Sequence, residues 1–376
     1  MTPRRVGLNL LWLRPGRVGG SETYARRLLA GLAAVASPDL AYEVLALPGL
    51  GPVPAPFAVR ALPVPGGARP LRIAAESTWL ARRTRGLDLV HHLGGTVPAV
   101  RSAPAAVLVH DLQYTAFPEH FSPVKRTYLA AAVPAAVRAA VLVSTPSEFV
   151  RGTVVDAFGA DPDRVVAVPI GVTGPGGPAP GPADPARSAA VRRRYGVAGP
   201  FALYPAVTWP HKDHLTLVRA VHALPEADRP TVVLTGGEGR AEAALAAEVD
   251  RLRLRRWVRR PGRVPADDLD VLYREATCVA FPSRYEGFGA PAVEAMARGV
   301  PVIAAAAAAL PEVVGDAGLL VPPGDPEAWA GALLRVLGDD ALRSRLAAAG
   351  PRRAERFSAV ASATRQEAAY RGVLAP

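Results

Sequence analysis

The 376-residue chain reads as an α/β protein with two doubly wound parallel-sheet domains in tandem. Three observations predict this. Short β-type runs alternate with helical patterns almost throughout, the signature of parallel sheets covered on both faces. The alternation stops in the Pro/Gly-dense segment TGPGGPAPGPADP, residues 173–185, and then restarts. The length suits two domains at roughly 150 residues each.

The elements follow in order. Residues 5–10 read as a strand, Gly19-Gly20 as a turn, and 21–36 as a helix with Ser21 as its N-cap. Strands are expected at 42–47, 88–92, 105–110, 141–144 and 165–168, with helices between several of them. Residues 173–185 cannot bury enough apolar surface to order themselves and read as a linker. Beyond it, strands are expected at 201–205, 231–235, 257–260, 277–281 and 300–304, and helices at 241–254 and 290–298. Residues 351–371 read as one long amphipathic helix. The domains are therefore 1–172 and 191–352, a linker at 173–190, and a terminal helix at 353–376. Ligands in such sheets sit beyond the carboxyl ends of the strands, so the functional search belongs to those loops.

Composition narrows the class. Hydrophobic residues make up 50% and charged residues 20%, which excludes global disorder. The single cysteine, Cys278, excludes a disulfide framework or a Cys-rich metal site and fits a reducing, cytoplasmic setting. No apolar run reaches the roughly 18 residues of a membrane span, and no signal peptide is evident. The net charge is +11, and only two of the 44 basic residues are lysine, Lys125 and Lys212. Such a balance fits nucleic acid, an anionic membrane surface or anionic small substrates. Arginine is the default cation here, so a retained lysine draws interest.

Several loops carry candidate chemistry. Gly19-Gly20 lets a backbone approach a ligand, and the helix that follows offers its N-terminus to an anion. His110, with Asp111, ends a strand and is expected to point away from the core, able to donate a hydrogen bond to a hydroxyl or phosphate. His91-His92 ends another strand and carries less weight. Lys212 lies in the loop Trp209-Pro210-His211-Lys212-Asp213, placed to neutralise a diphosphate. The most informative stretch runs from Phe281 to Glu294. It follows a strand and opens a helix, with Pro291 suited to the first turn and Gly299 to the exit. Gly287 and Gly289 are expected to leave backbone N–H groups for an oxyanion. Glu286 and Glu294, eight apart, could hold sugar and ribose hydroxyls. Two decoys stand beside these. The acids Asp267, Asp268 and Asp270 open a helix, where they are expected to complement its dipole. Thr235-Gly236-Gly237-Glu238-Gly239 could cradle a phosphate but lacks the lysine and hydroxyl of a P-loop.

Together these residues resemble the GT-B glycosyltransferases, specifically the retaining family 4, the glycosyl transferases group 1. The Gly-Gly turn, the E-x7-E segment Glu286–Glu294 and the following LPEVVGDAGLLVPPGD, residues 310–325, match in order and spacing over nearly the whole chain. The resemblance implies two Rossmann-like domains facing a cleft, the last helix crossing back to the first domain. It implies that Gly20 meets the donor phosphate through its backbone, that His110 lies near the donor sugar, and that Lys212 binds the diphosphate. Glu286 then holds sugar hydroxyls, Phe288 and Gly289 offer backbone amides, and Glu294 binds the ribose. Two departures stand out. Residues 206–209 lack the arginine common before the lysine, leaving His211 or a nearby arginine as substitute. Residues 304–309 are six alanines where many relatives carry serines.

The expected function is transfer of a mannosyl- or glucosyl-like sugar from a GDP- or UDP-linked donor to a hydroxyl acceptor, without metal or cofactor. The acceptor is a carbohydrate, a lipid-linked species or a natural product. Arg-rich faces at 69–85 or 125–138 could touch an anionic membrane, at the inner face of the bilayer. Alternatives are a nucleotide-sugar 2-epimerase of the same fold and a basic nucleic-acid-binding protein. Against the latter, no nucleic-acid motif is visible, and no nucleic-acid partner is expected.

Overall fold

The computed structural model describes residues 2–16, 19–35, 37–63, 74–173 and 183–375. The chain divides into two compact units, Met1–Pro175 with Ser358–Pro376, and Gly176–Phe357.

In the first unit the apolar runs become strands of one parallel sheet. They are β1 (Arg4–Leu10), β2 (Leu40–Ala46), β3 (Ala58–Ala61), β4 (Leu89–His92), β5 (Ala105–Leu108), β6 (Leu142–Thr145) and β7 (Val165–Ala167), in the order β3-β2-β1-β4-β5-β6-β7. Past its two exposed arginines, β1 is buried throughout, as a central strand covered on both faces must be. Val6, Leu8 and Leu10 pack with Leu28, Leu29 and Leu32 of the Gly20–Val35 helix and with Tyr370 of the last helix. β3 is exposed along its whole length and carries little hydrophobic signal.

The long helix expected at 351–371 is two helices. Pro351 lies inside Asp340–Glu355, and a new helix runs over Ala359–Leu374. The break falls where the chain leaves the second unit. Ser358 caps the new helix, its Oγ accepting from the Ala361 amide at 3.0 Å, and the Ala359 amide donates to the Thr173 carbonyl at 2.7 Å. That last helix is fastened by buried polar groups. Tyr42 Oη donates to Glu367 at 2.8 Å, Ser144 Oγ to Gln366 at 3.0 Å, and Tyr370 Oη meets His91 Nδ1 at 2.7 Å. A side chain at Gly31 would strike the Ala359 backbone, so glycine sets the close approach of the first and last helices.

The second unit repeats the plan with β8 (Phe201–Pro205), β9 (Thr231–Thr235), β10 (Val258–Gly262), β11 (Cys278–Phe281), β12 (Val302–Ala305) and β13 (Leu319–Val321), ordered β10-β9-β8-β11-β12-β13, all parallel. Of the expected linker, residues 174–182 lie outside the described residues. Its end is not linker: a helix starts at Pro185, capped by Asp184. In both sheets the first strand sits inside, so chain growth reverses beside it, at β1/β4 and at β8/β11. The crevice of a doubly wound sheet opens at that reversal, beyond the carboxyl ends of the two strands.

Candidate active site

At the β8/β11 reversal the two loops are fastened to each other. After β8, residues 206–209 run over the loop that follows β9. A Cβ at Gly236 or Gly239 would overlap the backbone of Ala206 or Thr208. Thr208 Oγ1 accepts from the Gly239 amide at 2.7 Å and donates to Glu242 at 2.8 Å. Close packing of the two loops is thus one reason that positions 236 and 239 are glycine.

Pro210–Lys212 is one 3₁₀ turn, and Asp213, at φ 50°, caps the His214–Ala223 helix. Tyr204 Oη donates to the Lys212 carbonyl at 2.7 Å. The Arg284 amide donates to the His211 carbonyl at 2.8 Å, and Ser283 Oγ at 3.3 Å. This backbone lock delivers the Lys212 ammonium to the loop after β11. Its Nζ lies 2.5 Å from Glu286 Oε1 and 5.7 Å from the Phe281 ring centre. The two side chains are 19% and 13% exposed, so each neutralises a partly dehydrated partner.

Gly289 sits at φ 98° immediately before the Ala290–Ala297 helix, and a Cβ there would meet Leu310 at 2.6 Å. Only glycine satisfies both constraints. The Phe288 and Gly289 amides make no hydrogen bond among the described residues, as expected ahead of a helix N-terminus. The Phe288 ring is buried against Phe357 at 5.3 Å, so what it can offer a ligand is main chain. Pro291 and Gly299 take the places expected of them, the latter at φ 73°. Glu294, one turn into the helix, accepts from Tyr273 Oη at 3.0 Å. The alanine segment contributes backbone, Ala309 donating to the Glu286 carbonyl at 3.3 Å. Lys212, Glu286, Phe288, Gly289 and Glu294 thus share one end of the second unit's sheet. Tyr204 and Tyr273, which orient Lys212 and Glu294, carry no motif of their own in the sequence.

In the first unit, Gly20 is the first residue of its helix and Gly19, at φ 64°, precedes it. A Cβ at either would meet nothing within 4 Å, so the turn stands open. Ser21 lies inside the first turn and is not the cap: the Glu22 amide donates to the Gly19 carbonyl at 3.0 Å. His110 follows β5. Its ring is not turned wholly away from the interior, for it packs edge-on against Tyr24 at 5.5 Å and Trp12 at 6.5 Å. Its Nε2 has no hydrogen-bond partner among the described residues. Burial holds its pKa below the ordinary value against the opposing Asp111 carboxylate. His91 and His92 belong to the core, where burial pushes both pKa values down to about 3.

Asp267 and Asp268 lie in the first turn of the Ala266–Glu275 helix, as expected of acids that complement its dipole, although the cap position is Pro265 and no side chain caps it. Asp268 is buried and receives Arg187, Arg194 and Tyr195 at 2.8, 2.8 and 2.7 Å, tying the Pro185–Arg194 helix to Ala266–Glu275. Asp270 receives Arg274 and Arg298. Among the described residues no group of His, Cys, Asp or Glu is arranged to hold a metal ion, and no helix is long and apolar enough to cross a membrane. Of the basic face at 69–85, residues 69–73 lie outside the described residues.

Comparison with known proteins decides the family. Residues 18–173 match the model for Glycosyltransferase Family 4, and residues 196–353 that for Glycosyl transferases group 1. O-antigen chain mannosyltransferase B of Escherichia coli is 32% identical over 274 residues, 72% of this chain and 71% of that protein. The chain belongs to the retaining glycosyltransferases of family 4. A D-inositol 3-phosphate glycosyltransferase of Xylanimonas cellulosilytica is 34% identical over 291 residues, 76% of this family 4 chain and 66% of that one. The chain spans 59% of a second such enzyme, from Frankia alni. The GT-B fold is shared with Anabaena Alr3699/HepE, solved with UDP and glucose (TM-score 0.74, 21% identity, 98% of this chain and all of that one). It is shared as well with sucrose-phosphate synthase of Thermosynechococcus elongatus (TM-score 0.76, 23% identity, 99% of both chains).

Proposed function

We propose that this family 4 enzyme moves a hexose from a nucleotide-diphosphate sugar to a hydroxyl acceptor, with the second unit holding the donor. The observation that carries the reading is the Lys212–Glu286 pair at the β8/β11 reversal, beside the open amides of Phe288 and Gly289. A diphosphate needs a cation and N–H donors; a sugar needs a carboxylate that accepts from hydroxyls. One loop pair supplies both. Lys212 turns from Glu286 alone to the diphosphate, and the Glu286 carboxylate is left to receive sugar hydroxyls. Glu294, steadied by Tyr273, receives the ribose hydroxyls.

In the reaction the acceptor oxygen bonds to the anomeric carbon as the bond from that carbon to the phosphate oxygen breaks on the same face. The acceptor proton passes to the departing phosphate oxygen. Negative charge grows on the diphosphate, where Lys212 and the Gly289 end of the Ala290–Ala297 helix stabilise it. In the first unit, the reading gives Gly20 a backbone contact with donor phosphate. It gives His110 a neutral imidazole that orients a hydroxyl. The name of the E. coli mannosyltransferase supports a mannosyl donor, with a glucosyl sugar, and both UDP and GDP, kept as the alternatives for the test. The test is Lys212→Ala and Glu294→Ala against UDP-, GDP-, ADP- and TDP-sugars. Losses of about 100-fold or more in transfer by Lys212→Ala are expected. Undiminished transfer by both variants contradicts the assignment, and donor isomerisation without acceptor would mark an epimerase.

A further inference from the structure

The second unit carries a cavity of about 600 Å³ at the opposite end of its sheet from Lys212 and Glu286. It opens where β8, β9 and β10 begin, with Pro200, Thr231 and Trp257 in its wall. Strands of five residues put roughly 17 Å between the two ends. The volume is that of a small-molecule site.

Three guanidiniums line this cavity, Arg229, Arg256 and Arg259, against one carboxylate, Asp228. Two of them are fixed without being neutralised. Arg229 donates to the carbonyls of Leu224 and His222 at 2.9 and 2.8 Å. Arg259 donates to those of Gly196 and Arg255 at 2.9 and 3.1 Å. Neither has a carboxylate partner among the described residues. Each guanidinium has five N–H donors, so capacity remains. Arg256 pairs with the Glu226 carboxylate at 3.3 Å, both side chains exposed, so the pair has little strength. The Trp257 ring centre lies 5.1 Å from the Arg229 guanidinium and 4.7 Å from that of Arg256, which holds both cations in place. The lining also has an apolar part. Leu334 and Leu337, from the end of the Pro326–Gly338 helix, form it, and Leu334 is 39% exposed.

Positioned cations beside an apolar wall suit an amphiphilic anion, and guanidinium geometry favours phosphate oxygens. We propose that this cavity is a second ligand site, taking a small soluble phosphate ester. Its phosphoryl group sits among Arg229, Arg256 and Arg259, and its apolar part lies on Leu334 and Leu337. The same chemistry occurs in a lipid headgroup, so the test separates the two sources.

The probes are inorganic phosphate, hexyl phosphate, and phosphatidylcholine vesicles containing phosphatidic acid. Binding is read by titration calorimetry and tryptophan fluorescence on wild type, Arg256→Glu/Arg259→Glu and Lys212→Ala. Saturable binding of hexyl phosphate is expected, about tenfold tighter than inorganic phosphate. The double variant weakens it about tenfold or more while nucleotide-sugar turnover is kept, and Lys212→Ala leaves it unchanged. Equal binding by the double variant, loss only in Lys212→Ala, or binding to vesicles with none to hexyl phosphate overturns the proposal. Hydrogen exchange on the unmutated chain is the independent check. Protection by hexyl phosphate at residues 227–231 and 334–338 is expected, and protection confined elsewhere overturns it.

Discussion

At the scale of single residues, the pair Lys212–Glu286 separates a chemical role from a structural one. Lys212→Met keeps the apolar stem and removes the charge, leaving Glu286 partly dehydrated and unpaired. Stability should fall by about 1–3 kcal/mol, the cost of one stranded polar group. Donor turnover of the folded variant should fall about 100-fold, a loss that a purely structural role would not produce. Chemical denaturation and initial-rate kinetics on the same variant measure both. The buried histidines set a pH dependence of their own. Burial lowers the pKa of His91 and His92 to about 3 and of His214 to about 4. The unfolded chain binds these protons near pH 6.5 and the folded chain does not. Their native pKa values are depressed, so stability is complete above about pH 6.5 and falls as pH drops towards 4. At pH 5 unfolding should take up about three protons at these positions, read from the slope of the urea midpoint against pH.

At the scale of elements, Gly289 joins strand β11's loop to the helix carrying Glu294. Gly289→Ala must adopt φ 98° and displace Leu310, and should cost about 1–3 kcal/mol in thermal unfolding. Deleting residues 359–376 should expose the first unit's core, because Ala363 and Tyr370 belong to it. Limited proteolysis should then digest the first unit while residues 185–357 persist. Much of this architecture is legible in the sequence, because strands buried on both faces are near-continuous apolar runs, as in β8 and β11. The exposed edge strand β3 has no such requirement and leaves no run. The last helix hides its beginning because its inward face carries Gln366, Glu367 and Tyr370, whose burial depends on partners in distant strands. The loops after β8 and β11 are readable from Gly and Pro placement. That Lys212 touches Glu286, 74 residues away, follows only from the strand order.

At the scale of the whole molecule, two doubly wound units place most candidate site residues at carboxyl ends of strands, and a net charge of +11 suits anionic ligands. Ligand binding to the folded state alone raises its stability by mass action. A nucleotide diphosphate at about 100 times its dissociation constant should add about 2.7 kcal/mol, with the gain lost in Glu294→Ala. The central claim, same-face transfer driven by the Lys212 loop pair, is tested most directly by proton NMR of the anomeric signal during turnover of an α-linked nucleotide sugar. The account predicts that the first product signal is the α-anomer and that none forms with Lys212→Ala. A first-formed β-anomer, or an unchanged time course in that variant, would contradict it.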